Sequence, residues 1–281
     1  MIVSPVLEVR RLLDSVRHNG KSIALVPTMG ALHAGHASLI SAARKGADFV
    51  VVSIFVNPLQ FGPNEDYLRY PRPLDKDAEL CKALGVDVIF APAVEDIYAG
   101  EQLSFVEVPK LTQHLCGAFR PGHFRGVATV VLKLFNVIQP GSAYFGEKDY
   151  QQLCVVRRMV QDFNLPLSIV PVATLREPDG LALSSRNVYL DPKQRALAPI
   201  LFRTLSLASE MVNNGETDAA KVKQSALQQL QAASEVQVEY FEVVDDEVQP
   251  VVTIAGKVRI ASAIWIGKTR LIDNIAAGDT L

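Results

Sequence analysis

Ser22-Ile23-Ala24-Leu25-Val26-Pro27-Thr28-Met29-Gly30-Ala31-Leu32-His33-Ala34-Gly35-His36 decides the fold. Ser22 to Val26 is a short apolar run closed by Pro27, Gly30 permits a turn, and helical spacing begins at Ala34 and runs to Lys45. That is strand, turn, helix. The unit then recurs. Phe49 to Val56 is a second apolar run, Pro73 to Leu84 has helical spacing, and Val86 to Phe90 is a third run. Gly126 to Val137 reads as a helix, Ala143 to Phe145 as a strand, Tyr150 to Phe163 as a helix and Leu167 to Ala173 as a strand. Apolar strands alternating with helices predict a parallel sheet covered on both faces, here a doubly wound, Rossmann-like α/β sheet. Ligands of such sheets lie at the carboxyl ends of the strands, where the turn containing Gly30 falls.

The texture changes near Leu175. Pro192 to Asn213 and Ala219 to Ala233 read as two helices, and Glu235 to Val244 and Val258 to Ile266 as two strands. The expected division is residues 1–174 as a Rossmann-like nucleotide and substrate domain and 175–281 as a smaller α+β lid domain.

Composition narrows the function. The 281 residues include 28 basic and 30 acidic side chains, a net charge of -2, which gives no basic coat for nucleic acid or a membrane surface. The longest apolar run, near Phe49 to Val56, stops at Asn57-Pro58, well short of the roughly 18 residues of a membrane span. Met1 to Leu13 lacks the basic-then-apolar layout of a signal peptide. Cys81, Cys116 and Cys154 are odd in number, widely spaced and form no CxxC pair. The expectation is a cytoplasmic protein that binds neither nucleic acid nor membrane.

His33 and His36 carry the first chemical signal. Three residues apart at a helix start, they share a face. The helix N-terminus adds free N–H groups and a partial positive charge, which attract phosphate. Either ring can donate a hydrogen bond to a phosphate oxygen or carry charge near neutral pH, and Gly35 leaves room for a nucleotide ring. The plain alternative is an ordinary helix start with two exposed histidines; the strand-Pro-x-x-Gly setting favours the phosphate site. A metal site is disfavoured, because no third ligand stands nearby in sequence.

HAGH resembles the HIGH-type signature of the nucleotidyltransferase superfamily, and Leu183-Ser184-Ser185-Arg186 occupies the place of its second, KMSKS-like signature. Two hydroxyls and a guanidinium suit a triphosphate. Three further blocks complete an ordered set: Phe55-Val56-Asn57-Pro58-Leu59-Gln60-Phe61, Arg120-Pro121-Gly122-His123-Phe124-Arg125-Gly126 and Phe145-Gly146-Glu147-Lys148-Asp149-Tyr150-Gln151-Gln152. From Val26 to about Arg195 the set is similar to the pantothenate synthetase family.

The resemblance implies an ATP-dependent ligase. Pantoate attacks the ATP α-phosphate to give pantoyl-adenylate and pyrophosphate; the amine of β-alanine then displaces AMP. It also implies Mg²⁺ and a homodimer. It assigns ATP binding to Met29, Gly30, His33, Gly35, His36, Gly146, Glu147, Lys148, Asp149, Leu175, Leu183, Ser184, Ser185 and Arg186. The catalytic set is His36, His33, Lys148 and Arg186, and substrate contacts fall on Gln60, Gln152, Arg120 and His123. A neutral glutamine amide suits a hydroxyl or carboxylate without neutralising the nucleophile, and Lys148 is a mobile point charge suited to the α-phosphate. The Mg²⁺ ligands are not assigned; Asp66 and Asp75 are candidates by proximity to the Gln60 block. Many family members have Met where this chain has Leu183, a substitution of similar volume.

Three rivals remain at this level. A pantetheine-phosphate adenylyltransferase has no use for two glutamines facing a carboxylate. A non-catalytic nucleotide-binding regulator should have lost a triphosphate contact, yet all are present. A class I aminoacyl-tRNA synthetase would carry a basic anticodon-reading domain.

Overall fold

The computed structural model describes residues 1–63 and 65–278; the last three residues of the expected second domain lie outside them. The chain forms two compact units. The first comprises Met1–Val108, Arg120–Glu147 and Val155–Ala173; the second comprises Pro109–Phe119, Lys148–Cys154 and Thr174–Leu281.

In chain order the elements begin with β1 (Ile2–Val3), α1 (Val6–His18), β2 (Ile23–Thr28), α2 (Ala34–Gly46), β3 (Phe49–Ile54), α3 (Leu74–Ala83), β4 (Val88–Phe90) and α4 (Val94–Ile97), all in the first unit. The short α5 (Cys116–Phe119) lies in the second unit. The first unit resumes with α6 (His123–Ile138) and β5 (Ser142–Gly146); α7 (Tyr150–Asp162) begins in the second unit and continues into the first, which ends with β6 (Ser168–Val172). The six strands form one parallel sheet in the order β1-β4-β3-β2-β5-β6, the expected doubly wound architecture.

Ile23, Ala24, Leu25 and Val26 are all buried, so β2 is covered on both faces. Ala24, Val26, Val50, Val52 and Ile89 pack with Ile40 and Ala43 of α2 and Cys81 of α3. Successive residues alternate faces, so Leu25 and Val51 point to the opposite layer. There α6 meets β2 and α1 lies on α6. Arg17 of α1 donates to the Ile138 carbonyl and Arg10 to that of Asn136, satisfying the exposed carbonyl end of α6. β1 and α1 had no counterpart in the sequence reading: two residues of strand are too short to show a period, and α1 is strongly amphipathic but polar on average.

The second unit holds α8 (Pro192–Leu197), α9 (Ile200–Asn213), α10 (Ala219–Gln231), β7 (Val236–Val244), β8 (Val258–Ile266) and β9 (Thr269–Ala277). The strands form an antiparallel sheet in the order β7-β8-β9. Leu205, Leu230, Ile260 and Ile264 are among the side chains filling the core between this sheet and α9 and α10. Two expectations are corrected here. The single helix over 192–213 is two, because Pro199 has no N–H for the Arg195 carbonyl and its ring crowds that turn. The two-stranded sheet has a third strand, β9, joined to β8 through a two-residue turn in which Gly267 takes φ +58.

One close approach positions the next region. A one-turn 3-10 helix, Pro58–Gln60, follows β3 and lies against α6. A Cβ on Gly126 of α6 would stand 2.2 Å from the Leu59 carbonyl oxygen and 2.7 Å from the Gln60 nitrogen. Backbone cannot move aside as a flexible side chain can. Gly126→Ala is therefore expected to destabilise the protein by about 1–3 kcal/mol. The readout is a lower urea midpoint at unchanged slope; an unchanged midpoint refutes the close approach.

Candidate active site

β2 and β5 are neighbours, while β3 leaves β2 toward the other edge of the sheet. The order therefore reverses between β2 and β5, and a crevice opens at their carboxyl ends. The loops leaving those ends begin at Met29 and at Glu147.

The loop after β2 is tightly specified. Thr28 Oγ1 donates to the Ser53 carbonyl (2.7 Å) and accepts from Gly30 N (3.2 Å). Gly30 takes φ +81 and Ala31 φ 50, the left-handed region that a non-glycine residue enters at a cost. The carboxylate of Asp77, in the first turn of α3, holds them there. Its Oδ2 accepts from Ala31 N (2.9 Å) and its Oδ1 from Leu32 N (2.8 Å). A Cβ on Gly30 would come within 3.0 Å of that same Oδ2 and of Ile54 Cγ2. Burial raises the Asp77 carboxyl above its ordinary value, against the pull of the two N–H groups.

The chain then enters α2 through two imidazoles. His33 is the N-cap residue, and its Nδ1 accepts from Gly35 N (3.1 Å). His36 Nδ1 accepts in turn from His33 N (3.3 Å). This is a capping box built from histidines instead of Ser/Thr and Glu. The ring centroids lie 4.2 Å apart. An Nδ1 that accepts an N–H carries no proton, so both rings are neutral here with the proton on Nε2. The sequence alone left either ring able to be cationic; the caps select the neutral form. Gly35 supplies one of the capped N–H groups.

Gln60 is buried in the 3-10 turn beyond β3. Its Nε2 lies 2.9 Å from Met29 Sδ, so the turns after β2 and β3 meet there. His123 Nδ1 lies 2.8 Å from the Gln60 carbonyl oxygen, to which Arg120 Nη2 also donates (3.3 Å). Arg120 is bidentate to Glu65 (2.7 and 2.5 Å) and sits 3.0 Å from His123 Nε2. Arg120 and His123 thus grip the backbone carbonyl of Gln60, and the Arg120 guanidinium already holds a carboxylate. Gly146 ends β5, and a Cβ there would meet no atom within 4 Å; Glu147 follows in a 3-10 turn.

The remaining expected residues belong to the second unit. Lys148 and Asp149 finish the 3-10 turn, with Nζ 3.9 Å from the exposed Asp149 carboxylate. The Lys148 carbonyl accepts from Asn274 Nδ2 (2.9 Å). In α7, Gln151 is buried and donates to the carbonyls of Leu111 and His114, whereas Gln152 is half-exposed. His114 is half-buried where its carbonyl meets Gln151. Leu183 N donates to the Leu175 carbonyl (3.0 Å), pairing those two across a small loop. Ser184 caps the 3-10 turn Ser185–Tyr189, its Oγ accepting from Arg186 N (3.3 Å). Its hydroxyl proton stays available as a donor.

Among the described residues no group of three His, Cys, Asp or Glu side chains could hold a metal ion. Asp75 is exposed, and Asp66 precedes a 3-10 turn. A Mg²⁺ ion that travels with a nucleotide takes much of its shell from phosphate and water and needs no such cluster. No helix of the described residues is long and apolar enough to cross a membrane. The sequence reading missed Asp77, one acid among several in a polar helix, and Asn57, quoted within its block without a role.

The Glu65–Arg120 pair gives a pH test. Burial pushes the Glu65 carboxyl up, but the Arg120 hydrogen bonds and charge, with His123, outweigh it and hold it below the ordinary 4.5. A folded value below the unfolded one means the pair's contribution is complete above 4.5 and is lost as pH falls through the depressed value. Glu65→Gln should cost on the order of 1 kcal/mol at neutral pH after solvent screening. In urea unfolding at several pH values, the gap between variant and wild type should close on acidification; a gap independent of pH contradicts the pairing.

The comparisons with known proteins agree with one another. The family model described as pantoate-beta-alanine ligase matches residues 1–276. A pantothenate synthetase of Moorella thermoacetica is 52% identical over 275 residues, covering 98% of this chain and 97% of that protein. One from Thermotoga petrophila is 50% identical over 278 residues, covering 99% of each. The crystal structure of pantothenate synthetase from Thermus thermophilus superposes with a TM-score of 0.92 at 47% identity, covering 98% of both chains. A pantoate-beta-alanine ligase from Francisella tularensis, complexed with beta-gamma ATP and beta-alanine, gives 0.81 at 36% identity, covering 98% of this chain and 97% of that one. With a matching model over nearly all its length and relatives at half identity, the chain belongs to the pantoate–β-alanine ligase family.

Proposed function

We propose that this ligase joins pantoate to β-alanine through a pantoyl-adenylate, consuming ATP and releasing AMP and pyrophosphate. The observation that carries the reading is the histidine capping box at the switch point of the sheet. It supplies two imidazole Nε2–H donors beside a helix N-terminus, which suits the phosphates of ATP. The Francisella relative, complexed with an ATP species and β-alanine, supports the same substrates here.

In this reading a pantoate carboxylate oxygen attacks the α-phosphorus and pyrophosphate leaves. The neutral amine of β-alanine then attacks the acyl carbon, loses a proton and expels AMP. His33 and His36 donate to phosphate oxygens, and Lys148 and Arg186 offset the charge that grows as pyrophosphate departs. Met29, Gly30, Gly35, Gly146, Glu147, Asp149, Leu175, Leu183, Ser184 and Ser185 complete the ATP site. Gln60 and Gln152 contact pantoate, and Arg120 and His123 serve it by fixing the Gln60 backbone. Mg²⁺ accompanies the triphosphate as its counter-ion. Residues 175–281 act as a lid that keeps water from the acyl-adenylate. The enzyme works as a cytoplasmic homodimer.

Two measurements test this. With ATP, pantoate and β-alanine each omitted in turn, pantothenate should form only in the complete mixture, with AMP as the nucleotide product. Pantoate alone should support exchange of labelled pyrophosphate into ATP; ADP as product rules the adenylate out. His36→Ala should lower the exchange rate by about 10²–10³, the usual loss for one preorganised donor to developing charge. Near-normal exchange would reduce His36 to a cap.

A further inference from the structure

Gln60 is held by a line of polar groups that the reaction chemistry above does not use. Tyr98, just past α4, is buried and its hydroxyl donates to Asn57 Oδ1 (2.8 Å). Leu59 N donates to the same oxygen (3.3 Å). Asn57 is 1% exposed, so water does not replace these donors. With its oxygen fixed, the Asn57 amide donates through Nδ2 to the Gly126 carbonyl and to Gln60 Oε1, both at 3.1 Å. The carbonyl end of Gln60 is thereby occupied. Its NH₂ end must turn the other way, toward Met29 Sδ. A thioether is a weak acceptor, so a stronger one arriving there wins the donor.

The phenol is biased to donate. Lys133 Nζ lies 5.0 Å from the centroid of the Tyr98 ring and is held there by Gln102 Oε1 (3.0 Å). A cation over the ring draws electron density from it and strengthens the O–H as a donor. Burial meanwhile keeps the phenol protonated by raising its pKa.

We infer that Tyr98 is a positioning residue: acting through Asn57, it fixes the amide of Gln60 so that the NH₂ end faces the substrate, and the pantoate group met there is an oxygen acceptor. The inference rests on the reading of Gln60 as a pantoate contact. Without the hydroxyl, Asn57 Oδ1 keeps only the long bond from Leu59 N. The Asn57 and Gln60 amides, whose O and N ends are nearly the same size, then lose part of their bias.

Tyr98→Phe, Gln60→Ala and the double variant separate the possibilities. Tyr98→Phe should raise KM for pantoate about tenfold, the worth of one buried hydrogen bond, with KM for ATP and kcat at saturating pantoate within about twofold. Gln60→Ala should raise KM for pantoate at least as much. In the double variant Tyr98→Phe should add nothing further, because it acts through Gln60. A pantoate KM unchanged by Gln60→Ala overturns the reading of the contact and this inference with it. A pantoate KM raised by Gln60→Ala but not by Tyr98→Phe overturns the inference alone. So does a Tyr98→Phe effect that persists undiminished in the Gln60→Ala background, or one that falls equally on ATP, since either marks general loosening.

Discussion

The turn between β2 and α2 depends on one buried carboxylate. Ala31 and Leu32 point adjacent N–H groups the same way, a geometry possible only because Gly30 and Ala31 both take positive φ. Such backbone is strained and persists only where its surroundings hold it. Asp77 does so with one oxygen for each N–H, and it is itself 2% exposed. The arrangement opposes itself, since burial works against the charge that the two N–H groups require. A fold selected for stability alone has cheaper ways to turn a corner. The return is an entry angle for α2 that brings His33 and His36 to its first turn.

Those two histidines each cap the helix start with one ring nitrogen. Nδ1 of each ring satisfies a backbone N–H that would otherwise be an orphan of the helix start. Fixing Nδ1 as an acceptor fixes the tautomer, and the tautomer places the ring's N–H on Nε2. A protonated ring could not accept at Nδ1, so binding charge by protonation would break the cap. A helix start can present N–H dipoles to an anion without any charge on its imidazoles.

How far the sequence could be read follows from what each element depends on. The strands of the first sheet are apolar because both faces are covered, and that pattern is local; β2, β3, β4, β5 and β6 were legible to within about three residues. HAGH and LSSR stand out in the sequence because each is contiguous. The supports do not. Asp77 lies 45 residues from Leu32 in sequence, and nothing in a polar helix start distinguishes it from Asp75. Tyr98 reaches Asn57 across 41 residues. β9 was hidden by its own function: Asp273 and Asn274 interrupt its apolar alternation, and both are buried because each is paired.

That interruption explains how the second unit presents its part of the motif set. Asp273 takes Arg176 in a bidentate pair (2.5 and 3.0 Å), and the guanidinium also donates to the Gly180 carbonyl and stacks 3.9 Å from the Phe202 ring centroid. Arg176 and Gly180 lie on the loop that pairs Leu175 with Leu183, so β9 anchors the segment leading into Ser184-Ser185-Arg186. Asn274, next along β9, accepts from Arg259 and donates to the Lys148 carbonyl. Neighbouring side chains on one strand thus hold two segments, one at Lys148 and one at Arg176, that lie far apart along the chain. Removing one partner from a buried ion pair strands the other charge, which costs far more than the pair contributes. The polar break in β9 thus serves position: hydrophobic replacements would make a better strand and leave Lys148 and Ser184 without a common support.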